Sequence, residues 1–201
     1  MEIEKALKEL RNQEKRKFMQ TLDLIVNLQN FDARKESVNN FIKIPNPAPK
    51  KICGFLTKKT KIIDTITEIE FDKYKTPADM KNLAAKYDFF IAAAPLMSKI
   101  ATKFGRVLGP SGKMPSPQAG IMPVDNEESI KAMIEKMKSL VRVRTKEKSI
   151  KIPIGKEDMS DAELKQNIES AISGIENILP KKKENIKNIM IKFTMTKSIK
   201  L

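Results

Sequence analysis

The sequence predicts an α+β sandwich assembled from the two ends of the chain, with a small parallel α/β unit inserted between them. Three observations lead there. Apolar residues alternate with a period of two after residue 18, again on both sides of residue 146, and once more near the C-terminus, next to segments of helical period. Buried-type strands take turns with helices only in the middle of the chain, which implies a parallel layer. Pro45, Pro47 and Pro49 break regular structure between the two regimes. A chain of 201 residues is long enough for one large domain or two compact ones. The expected division is 1–49 with 140–201 as the first domain and 50–139 as the insert. Crossings near 49 and 140 would permit hinge motion between them.

Each element has its own justification. Within residues 2–15, Ile3, Ala6, Leu7 and Leu10 recur at helical spacing among Glu and Lys, an amphipathic first helix. From Phe18 the period becomes two, with Leu22, Leu24, Val26 and Leu28 set against Thr21, Asp23, Ile25 and Asn27. NNFIKIP continues extended as far as the prolines. Ile52 to Leu56 reads as an apolar strand, and the segment after it gives no clear assignment. Thr76 caps a helix over 77–87 with Pro77 at its first position. DFFIAAA reads as a buried strand, followed by a helix that opens at Pro95 and runs through Phe104. The Pro/Gly-rich stretch LGPSGKMPSPQAGIMP reads as a loop. The next helix is lined by Ile130, Met133, Ile134 and Met137. VRVRTKEKSIKIPIG alternates on both sides of a charged centre, a hairpin pattern. Ser160 and Glu163 form a capping box for a helix with Leu164, Ile168, Ala171, Ile172 and Ile175 on its apolar face, stopped by Pro180. A last strand spans Ile186 to Phe193, and TMTKSIKL reads as a polar tail.

Composition narrows the function. Lys and Arg number 39 against 25 Asp and Glu, a net charge of +14, and both expected domains are basic. That balance suits a polyanionic partner, nucleic acid ahead of an anionic membrane surface. No histidine is present, which removes the commonest general base, the Ser-His and Cys-His nucleophile pairs and the usual zinc sites. The single cysteine, Cys53, lies in the apolar run KICGFL and reads as a buried, inert thiol, in keeping with a reducing cytosol. No run approaches the roughly 18 apolar residues of a membrane span, and the charged N-terminus is unlike an export signal.

Candidate chemistry is sparse. Gly109, Gly112 and Lys113 suggest a phosphate-binding loop. Val107 stands where that motif needs Gly, and Met114 where it needs Ser or Thr, so nucleotide hydrolysis is not expected. A rigid proline-shaped loop with Lys113 as a secondary RNA contact is the better reading. Lys15, Arg16 and Lys17 either favour the preceding helix dipole or meet phosphates, and Lys181 to Lys183 carry the same alternatives. Glu127 and Glu128 suit a helix N-terminus. No catalytic constellation, metal site or cofactor site is read, so the chain is expected not to be an enzyme.

The strings KFMQTLDLIVNL (17–28), YDFFIA (87–92), VLGPSGKMPSP (107–117), KIPIGKEDMSDAEL (151–164) and NIKNIMIKFTMT (185–196) occur together and in order. In this the chain resembles the large-subunit ribosomal protein L-one family over essentially its whole length, most closely the archaeal-like branch. The resemblance implies a discontinuous α+β first domain, a split βαβ sandwich, with an inserted Rossmann-like three-layer α/β second domain. It implies a structural, cytoplasmic protein on the lateral stalk of the large subunit, monomeric off the ribosome. Its expected partners are large-subunit rRNA, its own mRNA as a translational repressor, and deacylated tRNA, whose release it assists. Rival readings are a regulator acting mainly on mRNA away from the ribosome and, more remotely, a nucleotide-binding enzyme.

By the same resemblance the rRNA contacts are Lys17, Phe18, Thr21 and Asp23, then Asn188, Thr194, Met195 and Thr196. Lys17 suits phosphate, Phe18 and Met195 offer apolar surface, and Thr21 and Thr194 suit ribose hydroxyls. Asp23 needs a donor such as a ribose hydroxyl or a base amino group. The chain departs from the family pattern at four places. Thr196 and Lys197 replace Gly and Pro, which disfavours a positive φ there. Asn188 replaces Ser, Asn46 replaces His, and the segment between Leu56 and Tyr87 is short, which predicts the loss of part of a helix.

Overall fold

The computed structural model describes residues 3–13, 16–32, 36, 38–74, 76–123, 125–145 and 147–201. The chain divides into two compact units, Met1–Ala48 with Ser139–Leu201, and Pro49–Lys138.

In the first unit, helix α1 (Ile3–Arg11) buries Ala6, Leu7 and Leu10. Strand β1 (Thr21–Leu28) alternates strictly, burying Leu22, Leu24, Val26 and Leu28. Its period-two pattern therefore places one row of side chains in the core and the other on an open face. β1 is flanked antiparallel by β8 (Ser149–Lys156) and β9 (Ile186–Phe193), and β10 (Ile199–Lys200) adds to the edge of β9. β2 (Asn39–Lys43) and β7 (Leu140–Arg144) form a separate antiparallel pair. Helix α5 (Asp161–Ile178) starts at Ser160, whose hydroxyl accepts the Glu163 N–H while the Glu163 carboxylate accepts the Ser160 N–H. α5 buries Leu164, Ile168, Ala171 and Ile175 in the core shared with α1, β1, β2, β7, β8 and β9. Gly174 permits the close approach of α5 to β2, since a Cβ there would lie 2.9 Å from Ile42 Cγ2. Arg11 joins α1 to the start of α5, donating to Asp161 Oδ1 at 2.7 Å and to the carbonyls of Glu157 and Met159.

The second unit is a parallel sheet in the order β4-β3-β5-β6, from β3 (Ile52–Phe55), β4 (Asp64–Ile66), β5 (Phe89–Ala93) and β6 (Ile121–Met122). Every residue of β3 and all but the first of β5 are buried, so both faces of the central strands are covered. α2 (Pro77–Lys86), α3 (Met97–Ser111) and α4 (Glu127–Ser139) supply the helices. Phe55 is the hub of an aromatic cluster, with Phe90 at 5.4 Å, Phe104 at 5.2 Å and Phe71 at 5.8 Å between ring centroids. α2 is capped by Thr76 with Pro77 at its first position.

Several expectations need correction. The stretches VRVR and IKIPIG are strands but do not pair with each other. β7 is bonded to β2 and β8 to β1, because Thr145 returns the chain to Val38 while Lys148 receives the Leu28 N–H. The loop expected from Leu108 begins later. α3 continues through Pro110 to Ser111 and ends on Gly112, whose φ of 75° lets its N–H reach the carbonyls of Leu108 and Gly109. The polar tail contains β10, held by the buried Ile199 opposite Ile191. The unassigned segment after Leu56 builds β4 and a 3-10 helix, Glu68–Lys73. The first helix is shorter than 2–15, and its expected ends at residues 2, 14 and 15 lie outside the described residues, as does Lys146 of the expected hairpin.

Candidate nucleic-acid interface

Antiparallel pairing brings the beginning of β1 beside the end of β9, with Leu22 opposite Phe193 and Asp23 opposite Lys192. Thr21 and Thr194 are joined directly. The Thr21 N–H donates to Thr194 Oγ1 at 3.1 Å, and that hydroxyl lies 3.4 Å from the Thr21 carbonyl. Gln20 ties in a third strand. Its buried side chain accepts the Met195 N–H at 3.1 Å and donates to Glu157 Oε2 at 3.3 Å, and its carbonyl accepts the Glu157 N–H. The turn after β9 closes on itself: the Thr196 N–H donates to the Phe193 carbonyl, and Thr196 Oγ1 accepts the Phe193 N–H at 2.9 Å. Among the described residues only Asn30 and Lys182 are non-glycines with positive φ, so Thr196 makes this turn without the conformation its departure from Gly would forbid. The Lys197 N–H donates to Gln13 Oε1 at 3.0 Å.

This frame holds three large apolar side chains in solvent. Phe18 is 51% exposed, Met19 56% and Met195 59%. Clustered, exposed apolar groups mark interaction surfaces, and here the Met195 N–H and the neighbouring Gln20 and Thr21 are bonded across the strand ends. Arg16 and Lys17 are exposed beside Phe18, whereas Lys15 lies outside the described residues.

From that end the open sheet face runs along Thr21, Asp23, Ile25 and Asn27. Directly opposite stand Lys192, Met190 and Asn188 on β9, and Lys156, Pro153, Lys151 and Ser149 on β8. Partial burial pushes the Asp23 carboxyl above its ordinary pKa, and Lys192 pulls it back. Asn27 Nδ2 donates to Asn188 Oδ1 at 2.7 Å. Ser149 Oγ, opposite Asn27, is buried without a partner. The face therefore offers hydroxyls, amides, one carboxylate acceptor and lysines, a set able to hydrogen-bond ribose and base edges and to meet phosphates.

Of the residues singled out by sequence, Thr21, Thr194, Met195 and Thr196 are brought together, with Lys17 and Phe18 in the segment that enters β1. Asp23 is one pleat further on. Asn188 is separate, beside Asn27 about 20 Å along the strand from Thr21 at roughly 3.3 Å per residue. Lys181 to Lys183 are exposed around the 3-10 helix Lys182–Asn185, where the buried Asn185 donates to the carbonyls of Gln29 and Asn30. Lys113 belongs to the second unit. Its ammonium donates to the carbonyls of Ala84 at 2.8 Å and Tyr87 at 2.7 Å, so two of its three donors close the end of α2 instead of facing solvent. Sequence reasoning missed Gln20, Met19 and Lys192. Gln20 carried a signal, being a polar residue in the buried phase of the alternation.

At the end of β3, where parallel sheets receive phosphates, the N–H and hydroxyl of Thr57 both donate to the Asp125 carboxylate. An acid occupies the donors a phosphate would use. Burial pushes the Cys53 thiol up to about 12, so it stays protonated near neutrality. Among the described residues no group of three His, Cys, Asp or Glu could hold a metal ion, and no helix is long and apolar enough to cross a membrane.

The model of the ribosomal protein L1p/L10e family matches residues 10–197. The large ribosomal subunit protein uL1 of Nanoarchaeum equitans is 35% identical over 206 residues, covering 97% of each chain. That of Thermococcus kodakarensis is 36% identical, covering 98% of this chain and 94% of the relative, and that of Pyrococcus horikoshii is 32% identical over 99% and 94%. With the family model matched across nearly all of its length and archaeal relatives similar from end to end, the chain belongs to the ribosomal protein L1p/L10e family, in its archaeal type.

Proposed function

We propose that this protein is a structural, non-enzymatic component of the large ribosomal subunit, working in the cytoplasm and binding large-subunit rRNA at the lateral stalk. The contact surface is the end of the first unit's sheet. There Lys17, Phe18, Thr21, Asp23, Thr194, Met195 and Thr196 recognise a structured RNA, and Asn188 extends the contact along the open face. The observation that carries the reading is the exposure of Phe18, Met19 and Met195 on a hydrogen-bonded frame, in a chain of net charge +14. Lysines supply salt-dependent affinity, while the apolar and hydroxyl groups read shape and the 2′-hydroxyl. A surface of this kind takes a messenger RNA that mimics the rRNA site equally well, which would repress translation of the protein's own mRNA. Motion of the stalk would assist the release of deacylated tRNA.

The test is a titration of a fluorescent large-subunit rRNA stalk fragment against a shuffled RNA of equal length, at two salt concentrations. The protein is compared with its Phe18→Ala/Met195→Ala variant. Discrimination that persists at high salt in the parent and collapses in the double variant is expected. Equal binding of both RNAs that vanishes with salt in both proteins would leave only the net charge as the cause of binding.

A further inference from the structure

The strands β2 and β7 form a second sheet surface that the site above does not use. Their buried face holds Ile42, Val141 and Val143. Their other face is set by register: Asn39 opposite Arg144, Phe41 opposite Arg142, and Lys43 opposite Leu140. The Arg142 guanidinium lies 6.0 Å from the centroid of the Phe41 ring, and its Nε donates to Asn39 Oδ1 at 2.9 Å. The cation–π contact and that bond hold the guanidinium beside the ring. Among the described residues no acceptor engages its two terminal nitrogens, and Arg144 beside it has no partner.

A solvated charge run is the ordinary fate of surface arginines, and three features separate this face from one. Neither strand contains an acidic residue, NNFIK and LVRVR being free of them. Arg142 is partly buried, and its burial and, after it, the neighbouring Arg144 lower its pKa. Arg142 is also held over an aromatic ring, unlike a lysine on a flexible stem. Arginines at i and i+2 of a strand stand about 6.6 Å apart, a spacing close to that of successive phosphates on one nucleic-acid strand.

We infer that Arg142 and Arg144, with Lys43 and the Phe41 platform, form a second RNA contact that grips the phosphodiester backbone independently of sequence, apart from the β1/β9 recognition site. The inference rests on the reading of the chain as an RNA-binding protein, and it extends the footprint to another sheet of the same unit. An arginine fork oriented this way bonds phosphate oxygens two at a time, and the ring edge of Phe41 borders the path of the strand.

The experiment compares the full chain with Arg142→Gln/Arg144→Gln, Arg144→Gln and Arg142→Lys/Arg144→Lys, each titrated with the stalk RNA and with the shuffled RNA from 50 to 400 mM KCl. The double Gln variant is expected to bind both RNAs about tenfold more weakly at 150 mM salt. The slope of log affinity against log salt should fall by between one and two, and the ratio between the two RNAs should be unchanged. The Lys variant keeps the slope but loses part of the affinity, because a lysine cannot make the forked contact. Arg144→Gln alone removes an exposed side chain with no partner in the fold, so it lowers the slope by about one without a folding risk. Unchanged affinity and slope in Arg144→Gln and in the double Gln variant overturn the inference. Loss of RNA discrimination in the parent itself would instead defeat the recognition site, and the arginine effect would still be read on the shuffled RNA.

Discussion

Asn167 has no solvent exposure, and its amide ties three segments of the first unit together. Its Oδ1 accepts the Asn46 N–H at 2.9 Å, and its Nδ2 donates to the carbonyls of Asn46 at 2.7 Å and Ile154 at 2.8 Å. Removing the amide takes away the bonding partner of the half-buried Asn46 N–H and of the Asn46 and Ile154 carbonyls, which costs about 2–4 kcal/mol. Asn167→Ala is therefore expected to lower the urea midpoint of the first unit at unchanged slope, and Asn167→Leu to be no better, since shape is not what is lost. A variant as stable as the parent would mean that water or a backbone shift replaces those bonds. Residues of this kind are where sequence reasoning stops. The apolar stripe of α5 was legible as Leu164, Ile168, Ala171 and Ile175, but Asn167 lies within the same face, and period says nothing about a polar side chain that finds its partners in distant segments. Thr21 and Thr194 are adjacent only because β1 and β9 pair, and the chain's local pattern holds no trace of that; their grouping came from family resemblance.

At the scale of elements, alternation and capping carry more information than proline content. β1, β9 and the capped starts of α2 and α5 were readable because their signals are local: a period of two, a Ser with an acid three residues on, a Thr before a proline at the first turn. Pairing partners were not readable. β7 and β8 look like a hairpin and bond to different strands, since alternation marks a strand and leaves its neighbour open. Pro110 suggested a loop, yet near the end of α3 it forfeits one backbone bond, and Gly112 makes the stop. The 3-10 helix Glu68–Lys73 shows how a short element is held by charge. Hydrogen bonds from Lys59 and Lys73, with the Thr67 N–H, hold the Glu70 carboxyl at about 2. A carboxylate with a depressed folded pKa contributes stability that is complete above its unfolded value and fades as pH falls toward the folded one. Stability of the second unit is thus expected to decline between about pH 4.5 and pH 2, and Glu70→Gln to flatten that decline while leaving the rest of the acid transition in place. Denaturant titrations at half-unit pH steps measure this, and parallel curves for the two proteins would assign the decline to other carboxylates.

For the whole molecule, the places where the chain leaves and rejoins the first unit are adjacent. Lys43 pairs with Leu140, and the Ile44 N–H donates to the Ser139 carbonyl at 2.9 Å. Within the second unit, Lys50 Nζ donates to the Lys138 carbonyl at 2.7 Å, so that unit's two ends are fastened to each other as well. Each unit has its own core, and no core residue of one belongs to the other's cluster. A chain in which a short Gly/Ser linker replaces residues 49–138 is accordingly expected to fold cooperatively and to retain discrimination between stalk and shuffled RNA, measured by circular dichroism and by the titration above. A molten or aggregated product would show that the first unit depends on its insert. The same connectivity sets an order on biosynthesis. β1 presents Leu22, Leu24, Val26 and Leu28 to a core shared with α1 and β2, which precede the middle segment, and with β7, β8, α5 and β9, which are made after it. The middle segment has all its strands to hand much sooner and can collapse while the earlier-made N-terminal segment is still unpaired. During synthesis, then, β1 precedes the middle unit yet is completed after it, and its apolar row lacks full cover until β8, α5 and β9 have been made.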